Sequence, residues 1–133
     1  MRVEWNGEKF KAKIPKAETL ASHYVGFVVV GAIQSIVRVK TGALKISYHY
    51  QVVGTHVVRI GSPLKYAATI EYGSSAHIIR SKGPWSLSDG KQYFGRVVHH
   101  PGTAAQPHVR PVLADKTMIR GLYREKFKEA LGI

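Results

Sequence analysis

The sequence YVGFVVVGAI, residues Tyr24–Ile33, is the most apolar stretch of a chain of 133 residues. A membrane-spanning helix needs about 20 apolar residues, and Gln34 interrupts this stretch after ten. The pattern therefore predicts a buried core helix and no contact with a membrane. We expect this helix to run from about Ala17 to Val39, with Gly42 beyond it as the C′ residue.

Upstream of this helix, the sequence has the pattern of a β-hairpin over residues 1–14. The dipeptide Asn6-Gly7 supplies the positive φ angles of a type I′ turn, between Val3–Trp5 and Glu8–Ile14. Pro15 would end the second strand.

Downstream, residues Ile46–Val53 alternate between two faces, which is typical of a strand. Tyr48 and Tyr50 share one face in this pattern. Gly54-Thr55 is a two-residue turn signal, so His56–Ile60 is predicted to return as the partner strand.

A short helix is predicted next, with Ser62 as its N-cap and Gly73 as its end. Its inner face would contain Tyr66, Ala67 and Ile70. Residues 74–100 are then predicted to project as an extended hairpin arm, with a turn at Asp89-Gly90.

The last helix is predicted as one continuous element from His108 to Leu131, with Pro111 in its first turn. The whole chain, residues 1–133, is then one α+β domain. Its antiparallel sheet carries the long N-terminal helix, the short middle helix and the C-terminal helix, and the extended hairpin arm is additional to this layer.

The charge is strongly positive, because 20 Lys and Arg residues face 8 Asp and Glu residues, for a net charge of +12. Such a charge favours nucleic acid, anionic surfaces or acidic proteins as partners. The chain has no cysteine, which excludes disulfide scaffolds, thiol nucleophiles and iron–sulfur clusters. No block of five like charges occurs, which argues against a disordered basic tail.

Catalytic and metal-binding patterns are weak. His99 and His100 are adjacent, so on a strand their side chains point to opposite faces and do not chelate one ion together. A small hydrolase would use one of these histidines with Glu71, but no paired carboxylates and no phosphate loop accompany them. We therefore predict no enzyme, no metal and no cofactor.

A basic nucleic-acid-binding domain is the main alternative suggested by composition. Tyr48, Tyr50, Tyr93 and Phe94 lie on predicted strands, where their rings could stack on bases. However, no RNA-recognition strand pair, GXXG loop or recognition helix is visible.

Three sequence blocks, in order, are similar to one family. The blocks are Thr41–Ser47 (TGALKIS), Gly61–Gly73 (GSPLKYAATIEYG) and His100–Leu113 (HPGTAAQPHVRPVL). Together they resemble the neck or tail-completion proteins of long-tailed phages, typified in HK-type lambdoid phages. The positions that carry this resemblance are Thr41, Gly42, Leu44, Tyr66, Ala67, Glu71, Tyr72, Gly73, Pro101, Gly102, Thr103, Gln106, Pro107, Arg110 and Pro111. His108 stands where the family usually has an aromatic residue.

The resemblance implies a structural virion protein at the head–tail joint or the head-proximal end of the tail. It implies a homo-oligomeric ring, most often sixfold, around the DNA channel, with neighbouring neck, tail-terminator or tail-tube proteins as partners. The location would be the virion, and the host cytoplasm during assembly.

Residues 74–100 and the corner that follows them are the expected contact region of such a ring. Their positive and imidazole side chains are candidates for contact with a neighbouring subunit or with DNA in the channel. These candidates are Arg80, Lys82, Lys91, Arg96, His99 and His100.

Overall fold

The computed structural model describes residues 2–38, 40 and 42–133, and the chain divides into two compact units. We call the residues up to Leu64 together with His108–Ile133 the helical unit, and Lys65–Pro107 the hairpin unit. Both units combine helices with antiparallel strand pairs, which confirms the predicted α+β class. The strands of the described residues form three separate two-stranded pairs rather than one sheet.

The helical unit contains four helices and one strand pair among the described residues. Its elements are α1 (Gly7–Ile36), α2 (Ala43–Ser47), β1 (His49–Val53), β2 (Val57–Gly61), α4 (Val109–Ala114) and α5 (Lys116–Leu131). The hairpin unit contains one short helix and two strand pairs. Its elements are α3 (Ala67–Tyr72), β3 (His77–Arg80), β4 (Leu87–Ser88), β5 (Tyr93–Gly95) and β6 (Val97–His100).

The predicted N-terminal hairpin over residues 1–14 is wrong, because α1 already begins at Gly7, with Asn6 at its N-cap position. The segment from Glu8 to Lys13 consists largely of Glu, Lys and Ala, which favour a helix over a strand. In the part of the chain that the structure describes, residues 8–13 are all exposed, so no packing offsets that local preference. Met1 of the predicted hairpin lies outside the described residues.

Pro15 lies inside α1 and does not end it, contrary to the expectation from the sequence. Proline cannot donate the hydrogen bond to the carbonyl four residues earlier, which belongs to Lys11. Lys11 and Pro15 are both exposed, so water can bond to that carbonyl. The Thr19 hydroxyl donates to the Pro15 carbonyl at 2.9 Å, which adds a local bond at this position.

The apolar stretch of α1 forms the core of the helical unit, as predicted. Ala17, Ala21, Val29 and Ile33 are buried, and α1 packs against α5 and the β1–β2 pair. By length and composition alone α1 could also cross a membrane, a test that core helices of soluble proteins pass as well. About a third of its apolar window is buried by the rest of the chain, so the absence of membrane contact stays a prediction.

The C-terminal end of α1 differs from the prediction. The helix ends at Ile36, and the Val37 N–H donates to the Ile33 carbonyl at 3.1 Å. The predicted last residue, Val39, lies outside the described residues. Gly42 is not the C′ residue of α1, because it is the N-cap of α2, with a left-handed φ of 80°.

The β1–β2 hairpin is confirmed, with two changes in its boundaries. Ile46 belongs to α2, so the strand begins at His49. The turn has three residues instead of two, because Val53 pairs directly with Val57. The predicted alternation is confirmed: Tyr48 is buried and Tyr50 is half-buried, whereas the intervening residue is exposed.

The predicted C-terminal helix is divided into α4 and α5 at Asp115, whose ψ of 71° is not helical. The Asp115 carboxylate accepts a hydrogen bond from the Met118 backbone N–H at 2.9 Å and thereby caps α5. An aspartate inside an apolar pattern is a helix-start signal that the 3/4 spacing obscured. Pro111 lies in the first turn of α4, as predicted.

In the hairpin unit, α3 ends at Gly73 as predicted, but it begins at Ala67 and not at Ser62. The Ser62 hydroxyl instead accepts a bond from the Leu64 N–H in a turn. The Asp89-Gly90 turn is confirmed and joins β4 to β5. The pairing of β3 with β6 was not predicted, and the projection of residues 74–100 as an arm stays a prediction.

We predict that Gly26→Ala destabilises the helical unit although alanine favours a helix. A Cβ atom at Gly26 would lie 2.4 Å from the Tyr50 ring, so the ring and its strand would have to move. We expect a loss of about 1–3 kcal/mol in the free energy of unfolding, measured by urea denaturation.

Gly31→Ala is the matched control in the same helix, because a Cβ atom there meets no atom within 4 Å. It should stabilise the protein by up to about 1 kcal/mol. Equal effects of the two substitutions would contradict the close packing of Gly26 against Tyr50.

Candidate functional site

Two of the three sequence blocks meet in the hairpin unit. Ser74, directly after the second block, forms an antiparallel bridge with Thr103 of the third block. The Ser74 N–H donates to the Thr103 carbonyl at 2.9 Å, and the Thr103 N–H donates to the Ser74 carbonyl at 3.0 Å. The Gln106 N–H donates to the Ile70 carbonyl at 2.8 Å. These blocks therefore close one backbone junction.

Glycine is required at two positions of this junction. Gly73 has φ 76°, and a Cβ atom there would lie 2.6 Å from the Thr103 carbonyl oxygen. Gly102 has φ 91°, and a Cβ atom there would lie 2.4 Å from the Ser74 carbonyl oxygen. Both residues combine a left-handed backbone with the close approach of another strand, which explains the glycines of the two blocks.

The other motif residues of the hairpin unit differ in exposure. Ala67 and Glu71 are buried, whereas Tyr66 and Tyr72 are exposed. The prediction of Tyr66 on the inner face of the short helix is therefore wrong, because the helix begins only at Ala67, after Tyr66, and Glu71 is buried instead. Pro101 and Pro107 are also exposed.

The first block belongs to the helical unit. Gly42 caps α2, and Leu44 is buried in the core. The Ser47 hydroxyl donates to the Leu44 carbonyl at 2.7 Å and lies 2.7 Å from the Ser62 hydroxyl. These contacts fix the entry into β1, so this block has a structural role. Thr41 lies outside the described residues.

His108 is a buried residue whose role the sequence did not reveal. Its side chain is 2% exposed, and its Nε2 atom lies 2.6 Å from the Tyr48 hydroxyl. The two rings also pack edge to face, with centroids 5.3 Å apart. The sequence resemblance, which implies an aromatic residue at this position, was the available signal for a buried ring. Next to it, Arg110 and Pro111 are exposed on α4.

The cationic candidates lie on the surface of the hairpin unit. Arg80, Lys82, Lys91, Arg96 and His99 are exposed, and His100 is half-buried. The β3–β6 register pairs Ile78 with His99 and Arg80 with Val97, which brings these four side chains to one face.

His100 lies on the opposite face, where it stacks on His77 with ring centroids 4.9 Å apart. The Nδ1 atom of His100 accepts a hydrogen bond from the Gly102 N–H, and the Nδ1 atom of His77 bonds to the Ser75 carbonyl. Glu71 is buried, whereas His99 is exposed. The described residues contain no group of three or more side chains that could hold a metal ion.

The hairpin unit has few fully buried residues. Of its described residues only Ala67 and Glu71 are buried, although it contains several large apolar side chains. Trp85 is 75% exposed and Tyr93 is 78% exposed. Two-stranded hairpins without an apolar layer are marginally stable in water, so this exposed surface is a candidate contact surface.

A second candidate surface is a groove in the helical unit with a volume of about 600 Å³. Val25 and Val29 of α1 line it, together with residues of β2, α4 and α5. Two cationic side chains of α5, Arg120 and Arg124, also line it. The sequence predicted the apolar face of α5 but could not show that part of that face stays uncovered.

Tyr123 lies in this groove, and the pKa of its phenol is raised. Burial raises the pKa of its phenol above 10.0, and the nearby Glu18 carboxylate raises it further. Both causes disfavour the phenolate. Glu18 also lies 3.7 Å from His56 Nε2, another residue of the groove.

No family model matches the chain, and comparisons with curated proteins and with solved structures likewise find no match. The resemblance drawn from the three blocks therefore stays a prediction.

We predict that His108→Phe destabilises the protein by about 1–2 kcal/mol in urea denaturation, because a phenylalanine ring cannot bond to the Tyr48 hydroxyl. A double-mutant cycle with Tyr48→Phe isolates the interaction energy of this pair. His99→Phe, at an exposed position, is the control. Additive effects of His108→Phe and Tyr48→Phe would show that the interaction between the two side chains contributes nothing to the free energy of unfolding.

We also predict an alkaline loss of stability that depends on Tyr123. Its raised pKa keeps the folded phenol protonated where the unfolded chain has released the proton. The contribution of Tyr123 to stability is complete below the pKa that its phenol has in the unfolded chain. It is lost as the pH rises through the higher pKa that the phenol has in the folded protein. Tyr123→Phe should therefore lose less stability than the wild type above about pH 10, whereas Tyr93→Phe should behave as the wild type.

Proposed function

We propose that the protein is a structural subunit of a ring at the neck or the head-proximal tail end of a long-tailed phage. The ring would surround the DNA channel and would contain about six copies. Its work is assembly and not catalysis, and it needs no cofactor. Neighbouring neck, tail-terminator or tail-tube proteins are the further partners, in the virion and in the host cytoplasm during assembly.

The observation that carries this proposal is the lack of a core in the hairpin unit. A segment of this size with two buried residues exposes apolar surface that a soluble monomer seldom leaves uncovered. An adjacent subunit would cover such a surface, as obligate assemblies do. The three sequence blocks support the phage neck as the place of this assembly.

The charge of the hairpin unit supports a DNA channel or an acidic neighbour. Its exposed cations are Arg80, Lys82, Lys91 and Arg96, together with Lys65. In a ring, these charges repeat in every copy and produce a positive band. Such a band holds DNA without reading its sequence, because phosphate contacts carry no sequence information.

A basic nucleic-acid-binding domain outside a virion is the second candidate. It is favoured by the exposed rings of Trp85 and Tyr93 in a unit that also exposes several cations. Exposed aromatic rings beside cations stack on single-stranded bases. A nucleic-acid-binding domain does not need to form a ring, and this difference distinguishes the second candidate function from the first.

The test is the mass of the nuclease-treated full chain by light scattering, with negative-stain images of the same fraction. We expect rings of about six copies. Only monomers of 14.7 kDa that bind DNA would favour the second candidate, provided that the affinity falls by about one log unit per phosphate contact for each decade of salt.

Hydrogen exchange identifies the surface that assembly buries. The amides of the hairpin unit should exchange fast in the monomer fraction and slowly in the ring fraction. The buried part of α1, around Val29 and Ile33, is the internal control, since it should be protected in both. Rings in which the hairpin unit stays unprotected would contradict the proposed role of this surface.

A further inference from the structure

The helix α5 carries a row of cations on its exposed side. They follow one another at intervals of four residues, and all are exposed: Lys116, Arg120, Arg124 and Lys128. Residues four apart are neighbours on the surface of a helix, so these side chains form one continuous row. At 1.5 Å of rise per residue, the row is about 18 Å long. We call these four residues the basic ridge.

The charges of the basic ridge are not neutralised by neighbouring acids. None of its four residues takes part in a salt bridge within the part of the chain that the structure describes. On α5 itself, Glu129 bonds to Lys126 at 2.9 Å, and Lys126 is not part of the ridge. On the side of the groove, the Glu18 carboxylate lies 3.7 Å from His56 Nε2. Both carboxylates therefore have cationic partners outside the ridge.

The spacing of the basic ridge makes its cations repel one another. Like charges four residues apart destabilise a helix, and the ridge contains three such pairs. The positions three and four residues before and after Arg120 and Arg124 hold no acid that could reduce this repulsion. A bound anion between the cations would reduce it, so the ridge favours a negatively charged partner.

The surface beside the first half of the ridge is small and uncharged. It consists of Thr117 and Gly121, which are four residues apart and exposed. A Cβ atom at Gly121 would meet no atom within 4 Å, so the space above this part of the helix is open. A glycine lets the backbone of a ligand approach closely, and a threonine hydroxyl can bond to phosphate oxygens. A long partner can therefore lie close against the ridge.

The linear arrangement of the charges indicates the kind of partner. The backbone of a nucleic acid presents a continuous line of negative charges, which matches a row of cations better than a single small anion does. Guanidinium and ammonium groups both bind phosphate. The core of a protein interface is apolar and poor in charges, whereas the ridge, Thr117 and Gly121 offer no large apolar side chain. The exposed side of α5 therefore fits a nucleic acid better than an acidic protein.

We propose that the basic ridge of α5 binds the sugar–phosphate backbone of a nucleic acid without reading its sequence. Its four cations bind phosphate oxygens, and the open surface at Gly121 lets the backbone lie close to the helix. One copy carries the whole ridge, so this contact does not require the proposed ring. In such a ring, the ridge is a surface for DNA in addition to the exposed cations of the hairpin unit.

The test is the salt dependence of binding to a fluorescent DNA duplex of arbitrary sequence, measured by anisotropy with the nuclease-treated full chain. The ridge variant carries Lys116→Gln, Arg120→Gln, Arg124→Gln and Lys128→Gln. The matched control removes the same charge from exposed positions of α1, by Lys9→Gln, Lys11→Gln, Lys13→Gln and Lys16→Gln. Each lost phosphate contact lowers the slope of log K against log salt by about 0.9, so the ridge variant should lose about 3–4 and the control less than about 1.

Two further variants separate charge from folding. Arg120 and Arg124 also line the groove, so Lys116→Gln with Lys128→Gln tests the ridge at residues outside the groove. This pair should lower the slope by about 2. Arg120→Lys with Arg124→Lys keeps the charge and should leave the slope unchanged, because an ammonium group also binds phosphate.

Each outcome has one meaning. Equal losses of slope in the ridge variant and the α1 control overturn the inference, because net charge alone then explains the binding. A ridge variant that loses binding to poly-L-glutamate but keeps the wild-type slope with the duplex overturns it and assigns the ridge to an acidic protein. Rings that form with equal losses of slope overturn the inference but leave the proposed function standing. Ridge-dependent binding by a protein that forms only monomers supports the inference and contradicts the ring.

Discussion

The close contact between Gly26 and the Tyr50 ring is the constraint on which the helical unit depends. The missing side chain at Gly26 lets the β1–β2 hairpin lie directly against α1. Ser22 then donates its hydroxyl to the Thr55 carbonyl at 2.7 Å and ties the helix to the hairpin turn. On its other side, Tyr48 reaches the buried His108 at the start of α4. The β1–β2 hairpin and the adjacent Tyr48 therefore contact both α1 and the C-terminal segment that begins at His108, and so link the two segments of this unit.

The sequence predicted the elements whose signals are local and self-consistent. The strand alternation around Tyr50, the turn at Asp89-Gly90 and the helix end at Gly73 each follow from the chemistry of a few residues, and each is confirmed. The Asn6-Gly7 signal failed because a turn needs two strands with a layer to cover them, and the segment after Gly7 has neither. The split at Asp115 was missed because apolar spacing continues across it. The exposed cations of the hairpin unit could be listed from the sequence, but the groove could not, since it exists only where α5 leaves α1 partly uncovered.

The hairpin unit depends more on local backbone features than on the burial of side chains. Its backbone is fixed by turns, by the Ser74–Thr103 bridge and by four glycines with positive φ angles, among them Gly73 and Gly102. These features specify a conformation but contribute little burial, so they define a shape without stabilising it strongly. A unit of this kind is suited to a surface that becomes stable when another molecule covers it.

The charge of the chain sets a condition on any assembly of identical copies. Each copy carries +12, so neighbours repel one another unless acids lie between them or salt screens them within about 8–10 Å. Only eight acidic residues are present, and two of them, Glu4 and Glu8, lie at the exposed start of the chain. A net charge of +12 therefore favours an assembly in which an acidic partner or a polyanion such as DNA lies against the positive surface.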